Sequence, residues 1–494
     1  MGQVFYFVFK QQESLPHGHN FLCEKIIIKL NSKRIGRDIM AKDNQLGSEK
    51  INILLRRFAT PSIIAMMVGA LYNIIDQFFI GNYIGMYGNA ATNVALPFTT
   101  ICMSWALMSG LGGASGFNLN LGAGKKDIAA RYMGTALLML IGGGIVLAAL
   151  VMLFLEPLLL FCGATPEVMP YARSFTSISC LGFPLLVFST GASHLIRADG
   201  SPRYAMFTAL SGAVLNCFFN PLFISVLDFG IAGSAIATVT GQAVSSLLAI
   251  WYFCRRLQSV RLTQDCFKLS LPRMTHVMGL GSSNCINQLG MMVVQITLNN
   301  TLTYYGAQSV YGSDIPLAVV GIITKVNMIF FSVIIGISQG MQPIASFNYG
   351  AGNYVRVVAV LKLALKTGAC ISLFSFICFQ CFARELAGIF GEGSEVYFQF
   401  AEEYFHIYLF GTLYNFLQPI ISNFFSAIGK AQKGVLLSLT RQVIFLLPLI
   451  VLLPRFYGID GVMYAGVAAD TCAGLLALWL AYRQGRFLLD KTGR

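Results

Sequence analysis

Asn120-Leu121-Gly122-Ala123-Gly124 recurs 228 positions later as Asn348-Tyr349-Gly350-Ala351-Gly352, and each copy closes a long apolar run. Gly230-Ile231-Ala232-Gly233 recurs at the same offset as Gly458-Ile459-Asp460-Gly461. Between them, Ala198-Asp199-Gly200 corresponds to Ala427-Ile428-Gly429, one residue out of step. Ordered matches at a constant spacing mark an internal duplication, so the chain consists of two related halves.

Both halves are built for a bilayer. Of 494 residues, 56% are hydrophobic and only 11% charged, against ~25% charged in a soluble domain. The mean hydropathy is +0.67. Twelve apolar segments reach the ~20 residues that a crossing needs: 57–80, 91–118, 131–155, 170–194, 203–224, 231–254, 275–303, 316–345, 358–382, 397–424, 435–453 and 459–482. Six per half return the chain to the same side, so the repeats are parallel, an arrangement that favours alternating access to a central cavity. The expected fold is an all-α integral membrane protein of twelve transmembrane helices, an N-lobe and a C-lobe of six each.

The net charge of +13 comes with no basic helix or aromatic-interleaved patch of a nucleic-acid binder. The basic residues instead sort by connector, as the positive-inside rule requires. Lys125, Lys126 and Arg131, then Arg197 and Arg203, then the run Arg255, Arg256, Arg261, Lys268 and Arg273 alternate with connectors that have none. Lys430 and Lys433, and Arg483 and Arg486, continue the pattern. It places both termini in the cytoplasm. The organisation expected is a cytoplasmic extension 1–50, N-lobe 51–254, basic linker 255–274, C-lobe 275–482 and tail 483–494. Met40 offers a natural start, which would make 1–39 an upstream extension without a role.

Within this frame Asp76 stands out, a carboxylate far inside the first apolar segment. Charges at membrane depth are costly, rare and usually on a substrate or ion path. At 1.5 Å per residue it lies roughly 28 Å from the inner surface. On the fifth segment Asn216 and Asn220 reach roughly 20 and 25 Å, one turn apart, and Thr238 lies about 12 Å below the outer end of the sixth. Amide and hydroxyl oxygens around one carboxylate suit a hard cation; the same carboxylate, out of water, could carry a proton. Taken alone, Asn216 and Thr238 would only bridge helices. Tyr72, one turn below Asp76, and the adjacent Asn73 are candidates to line the cavity.

The chain resembles the multidrug and toxic compound extrusion (MATE) transporters over about residues 50–485. The resemblance rests on Leu71-Tyr72-Asn73-Ile74-Ile75-Asp76, Arg197-Ala198-Asp199-Gly200-Ser201-Pro202, Asn216 through Ile224, and Gly233-Ser234-Ala235-Ile236-Ala237-Thr238. In the second half it adds Gly340-Met341-Gln342-Pro343, the Asn348–Gly352 copy, and Arg441-Gln442 with Pro448. It implies a two-lobed plasma-membrane antiporter, a monomer without cofactor, that expels amphipathic, often cationic, drug-like molecules in exchange for Na⁺ or H⁺. It also implies a cation site at Asp76, Asn216, Asn220 and Thr238, and a first-helix bend near Pro61. One departure concerns Asn220, where the family commonly has Asp.

Lys325 and Asp470 fall at similar depth in the eighth and twelfth segments, roughly 14–16 Å below the outer surface, and are expected to form a C-lobe ion pair. Arg441, nearer the inner face, is expected to snorkel toward headgroups. Two rival functions remain to be weighed. A lipid-linked oligosaccharide flippase would call for a more basic cavity than Lys325 alone supplies. An intramembrane enzyme would need a catalytic pair, yet neither Gly-x-Ser-x-Gly nor His-Glu-x-x-His occurs.

Overall fold

The computed structural model describes residues 45–309, 311–312, 314–388 and 395–491; the expected 1–39 extension and the Met40 start lie outside them. Twelve spans follow one another. They are α1 (Ile51–Tyr83), α2 (Met86–Gly122), α3 (Lys126–Leu153), α4 (Met169–Ala198), α5 (Pro202–Pro221, continued by a π-helical turn Leu222–Val226) and α6 (Gly230–Arg255). The second half supplies α7 (Leu271–Gly306), α8 (Asp314–Gly350), α9 (Tyr354–Cys381) and α12 (Asp460–Asp490). Between the last two lie α10 (Glu395–Tyr408, Leu409–Gly411, Thr412–Asn415, Leu417–Ala427) and α11 (Ala431–Leu439, a π-helix Thr440–Leu446, Leu447–Leu452).

Among the described residues ten spans are long and apolar enough to cross a membrane by length and composition alone. The other two, α7 and α10, have separate reasons. Ser282, Ser283, Asn284, Asn287, Gln288, Gln295, Asn299 and Asn300 lower the hydropathy of α7, whereas α10 is cut by a 3₁₀ turn at Leu409–Gly411. Each still occupies its place in the bundle, α7 against α2 and α11, α10 against α8.

The duplication is visible in the turns. Gly124 and Gly352 have φ of 76° and 74°, and Gly230 and Gly458 have 54° and 59°. A side chain is strained in this left-handed region, so Gly recurs where each half must stop one helix and start the next. The amide of Lys125 returns to Asn120 O at 2.9 Å, and that of Asn353 to Asn348 O at 2.9 Å. Between the halves, Asp199 anchors the linker. Its carboxylate accepts from the Tyr252 hydroxyl at 2.6 Å and from the Gln258 and Ser259 amides at 2.9 Å each. Burial pushes this carboxyl above the usual range, and these donors pull it back.

The lobes meet through α1 on α8 and α7 on α2, contacts that the duplication relates to each other. Both are seated on glycine. A Cβ on Gly340 would lie 2.5 Å from Ala59 Cα, and one on Gly336 2.6 Å from Ile63 Cα. Correspondingly, a Cβ on Gly112 would lie 2.1 Å from Val277 O, and one on Gly281 1.9 Å from Met108 O. On the symmetry axis itself Gly122 faces Phe347 O (2.0 Å) and Gly350 faces Leu119 O (2.1 Å). Gln342 reinforces this end by donating to Ser115 Oγ at 2.8 Å and Leu111 O at 3.2 Å. Tyr132 hydroxyl and His276 Nδ1 pair at 2.7 Å. All these residues lie in the half of the bundle that carries the basic connectors.

In the C-lobe the expected Lys325–Asp470 pair is replaced by another. Arg441 Nε donates to Asp470 Oδ1 at 2.7 Å, and both side chains are about nine-tenths buried. Arg441 therefore does not snorkel. It stays because α11 and α12 are neighbours, its guanidinium packs 5.6 Å from the Phe331 ring, and Gly411 leaves room beside the carboxylate. Lys325 is exposed and makes no ion pair among the described residues. It sits eleven residues, about three turns, outward of Gly336, which puts it on the face of α8 that turns toward α1.

Two measurements check these contacts. Gly122→Ala and Gly350→Ala should each cost about 1–3 kcal/mol by overpacking, read as a lower melting temperature in detergent, and the double variant should cost less than the sum because both disturb one contact. Arg441→Met or Asp470→Asn alone should cost about 3–5 kcal/mol by stranding a buried charge or its partner. Arg441→Met with Asp470→Leu should recover most of that loss.

Candidate functional site

Asp76 lies on α1 against α5 and α6, and the local sequence explains how those helices come so close. Gly212 and Gly241 face each other: a Cβ on either would lie 2.8 or 2.6 Å from the other's carbonyl oxygen. This seat places Asn216 and Asn220 of α5 one turn apart and opposite Ser234 and Thr238 of α6, also one turn apart. Beyond Asn220, Pro221 brings no amide hydrogen and the chain continues as the π-helical turn Leu222–Val226. Such turns are frequent at functional sites. A left-handed Asp228 (φ 51°) and Gly230 then reverse the chain into α6.

The side chains form one connected cluster. Asn220 Nδ2 donates to Asp76 Oδ1, and Ser234 Oγ donates to the same oxygen at 3.2 Å. Asn216 Nδ2 donates to Thr238 Oγ1 at 2.9 Å, while Asn220 Nδ2 also faces Asn216 Oδ1 at 3.5 Å. Asn216 and Asn220 are buried, Asp76 and Thr238 half-buried. The Tyr72 hydroxyl lies against Thr238. Asn73 is not part of the cluster; exposed, its amide bonds back to Gly69 O at 2.8 Å. Pro61 is buried within α1, which continues as a helix through it, four turns below Asp76.

Two absences define the chemistry. No Lys, Arg or His pairs with Asp76 among the described residues, so the carboxylate has hydrogen-bond donors but no fixed countercharge. Asn220 Oδ1 is buried without a partner. A buried amide oxygen left bare costs about 1–3 kcal/mol, and next to a carboxylate it is suited to accept from a proton-bearing group or to ligate a cation. Ser234 was not among the expected residues. Its signal was available, since it precedes Thr238 by one turn in Gly233-Ser234-Ala235-Ile236-Ala237-Thr238 and so shares its face.

The chain is similar to known proteins along most of its length. The multidrug export protein MepA of Staphylococcus haemolyticus (strain JCSC1435) is 21% identical over 456 residues, covering 91% of this chain and 98% of that protein. A structure of a multidrug resistance MATE family transporter of the MOP superfamily in an outward-facing conformation superposes with a TM-score of 0.84 at 22% identity, covering 90% of this chain and 98% of that one. A MOP superfamily transporter from Pyrococcus furiosus, described as having a binding pocket of reverse polarity that suggests a different function, superposes with a TM-score of 0.83 at 22% identity, covering 90% and 98%. At these identities the superpositions speak to the fold alone. The MatE family model matches residues 61–222 and 287–452, one block in each lobe. These blocks make up most of the bundle, and the chain belongs to the MatE family, the multidrug and toxic compound extrusion transporters.

Proposed function

We propose that the chain is a cation-coupled antiporter that exports amphipathic, cationic, drug-like molecules by alternating access, with Na⁺ or H⁺ as the coupling ion. The observation that carries this reading is Asp76 without a fixed countercharge beside the bare Asn220 Oδ1. Asp76, Asn216, Asn220 and Thr238 form the ion site, Ser234 completes it, and Tyr72 borders it. The working location is the plasma membrane, with the basic connectors and both termini in the cytoplasm, and the working unit is a monomer without cofactor or catalytic chemistry.

The coupling follows from α1. Its outer half carries Asp76, and its inner half carries Ala59 and Ile63, the residues seated on Gly340 and Gly336 of α8. Pro61 lies between those two seats and removes one backbone hydrogen bond there, the point at which α1 yields most easily. When a cation or proton neutralises Asp76, the hydrogen bonds from Asn220 and Ser234 weaken or rearrange, and α1 is released from α5 and α6. An ion shifts the two-state equilibrium only by its differential affinity for the states; the bare oxygen of Asn220 is where this difference is stored. Lys325, on the α8 face toward α1, repels a cationic cargo from that wall and confines it to the Asp76 side.

Dye efflux from proteoliposomes under imposed Na⁺ or pH gradients tests the reading. Asp76→Asn should reduce gradient-driven efflux at least about tenfold, the effect of losing one ~1.4 kcal/mol step in coupling free energy, while dye binding and the melting profile persist. Asn220→Asp adds a second carboxylate and should change the ion dependence. Full gradient-driven efflux by Asp76→Asn would refute the ion site, and efflux independent of any gradient would refute antiport.

A further inference from the structure

At the basic end of the N-lobe a cavity of about 730 Å³ opens beside α5 and α6, lined by Arg203, Tyr204, Phe207, Leu248, Trp251 and Arg256. The volume is that of a small-ligand site, ~300–1,000 Å³. We propose that it holds the headgroup of an anionic phospholipid, with the phosphate between the guanidinium groups of Arg203 and Arg256 and the acyl chains along α5 and α6.

Charge is the first argument. Neither arginine has an ion-pair partner among the described residues. Asp199, the acidic side chain nearest in the chain, is buried and taken up by the Tyr252 hydroxyl and the linker amides. Two uncompensated guanidinium groups on one cavity select a phosphate.

The second argument is that Arg256 is held in place. Its guanidinium stacks 4.5 Å from the Trp251 ring and lies 5.9 Å from that of Tyr204. Those two rings stack on each other at 6.1 Å, and the Tyr204 hydroxyl donates to Leu248 O at 2.8 Å. Such a platform orients a guanidinium without neutralising it.

The third argument identifies a lipid rather than a soluble phosphate. Phe207, Leu247, Ile250 and Trp251 expose apolar surface next to the cavity, between 45% and 64% of each residue. In a membrane-spanning chain this surface meets acyl chains, and Trp and Tyr mark the headgroup level. Basic pockets of this kind at the cytoplasmic ends of helices recognise anionic headgroups. A zwitterionic lipid would bring its own ammonium toward two unpaired guanidinium groups and bind more weakly. The site is remote from Asp76 and does not depend on which ion drives transport.

The test uses the full chain in mild detergent, titrated with phosphatidylglycerol, phosphatidylcholine or glycerol 3-phosphate, with bound lipid counted by native mass spectrometry. Phosphatidylglycerol should be retained at least about tenfold better than phosphatidylcholine. Arg203→Ala with Arg256→Ala should abolish the preference, and Arg255→Ala, outside the cavity, should keep it. Where the double variant does not fold, Arg256→Gln, which keeps a planar group on Trp251, should lose about fivefold. Equal retention of the two lipids, or a preference unchanged in the arginine variants, overturns the proposal. Displacement of phosphatidylglycerol by an equal concentration of glycerol 3-phosphate overturns the lipid in favour of a soluble anion.

Discussion

The structure depends on backbone meeting backbone across the two lobes without any side chain between. Gly122 and Gly350 each lie where a Cβ would fall about 2 Å from the opposite carbonyl, and Gly112, Gly281, Gly336 and Gly340 repeat the condition along α2, α7 and α8. In lipid, helix association gains little from the hydrophobic effect and relies on such close packing. Few hydrogen bonds accompany this contact among the described residues, chiefly those of Gln342, the Tyr132–His276 pair and Arg356 Nη2 to Glu49 O at 2.7 Å. The seam thus holds the two lobes together by close backbone packing more than by hydrogen bonds.

The same seam explains why α1 is the helix that matters. Of the helices in the N-lobe, it alone carries both an inter-lobe seat, at Ala59 and Ile63, and the ionisable centre of the candidate site, at Asp76. Its duplicate α7 has a seat at Val277 and Gly281 but no carboxylate. α1 is thus the helix that joins the candidate site to the inter-lobe seat, with Pro61 lying between Ala59 and Ile63.

Much of this was legible in the sequence because it rests on local chemistry. The offset of 228 residues announced the duplication, and the glycines at Gly124, Gly352, Gly230 and Gly458 showed where helices end, since only Gly takes those φ values cheaply. Asp76, Asn216, Asn220 and Thr238 were brought together by depth alone, a usable coordinate when every helix must cross the same layer. Depth failed for Asp470. It matched Lys325, but the helix adjacency that decides pairing is tertiary information, and α12 packs on α11, where Arg441 sits only about one turn lower. Asn73 lies outside the hydrogen-bonded cluster, because the face of a helix that a side chain takes is set by its neighbours, and its amide turns to its own backbone.

That misassignment exposes a difference between the lobes. The helix pair α5 and α6 corresponds to α11 and α12, yet the two pairs are bridged by different chemistry. In the N-lobe the bridge is neutral, Asn216 to Thr238, and the nearby carboxylate of α1 has no cationic side chain paired with it among the described residues. In the C-lobe the bridge is an ion pair, with Arg441 supplying the cation from the chain itself. A buried carboxylate that already holds a guanidinium cannot also bind a mobile ion without displacing it, at a cost of several kcal/mol. The duplication therefore yields one lobe with a closed electrostatic account and one with an open one. Asn220 enforces the same limit within the open lobe, because an amide in place of a second carboxylate leaves a single negative charge to be neutralised. An ion site proposed at Asp76 therefore has a single negative charge to neutralise, whereas the matching pair of helices in the C-lobe has its carboxylate already neutralised by Arg441.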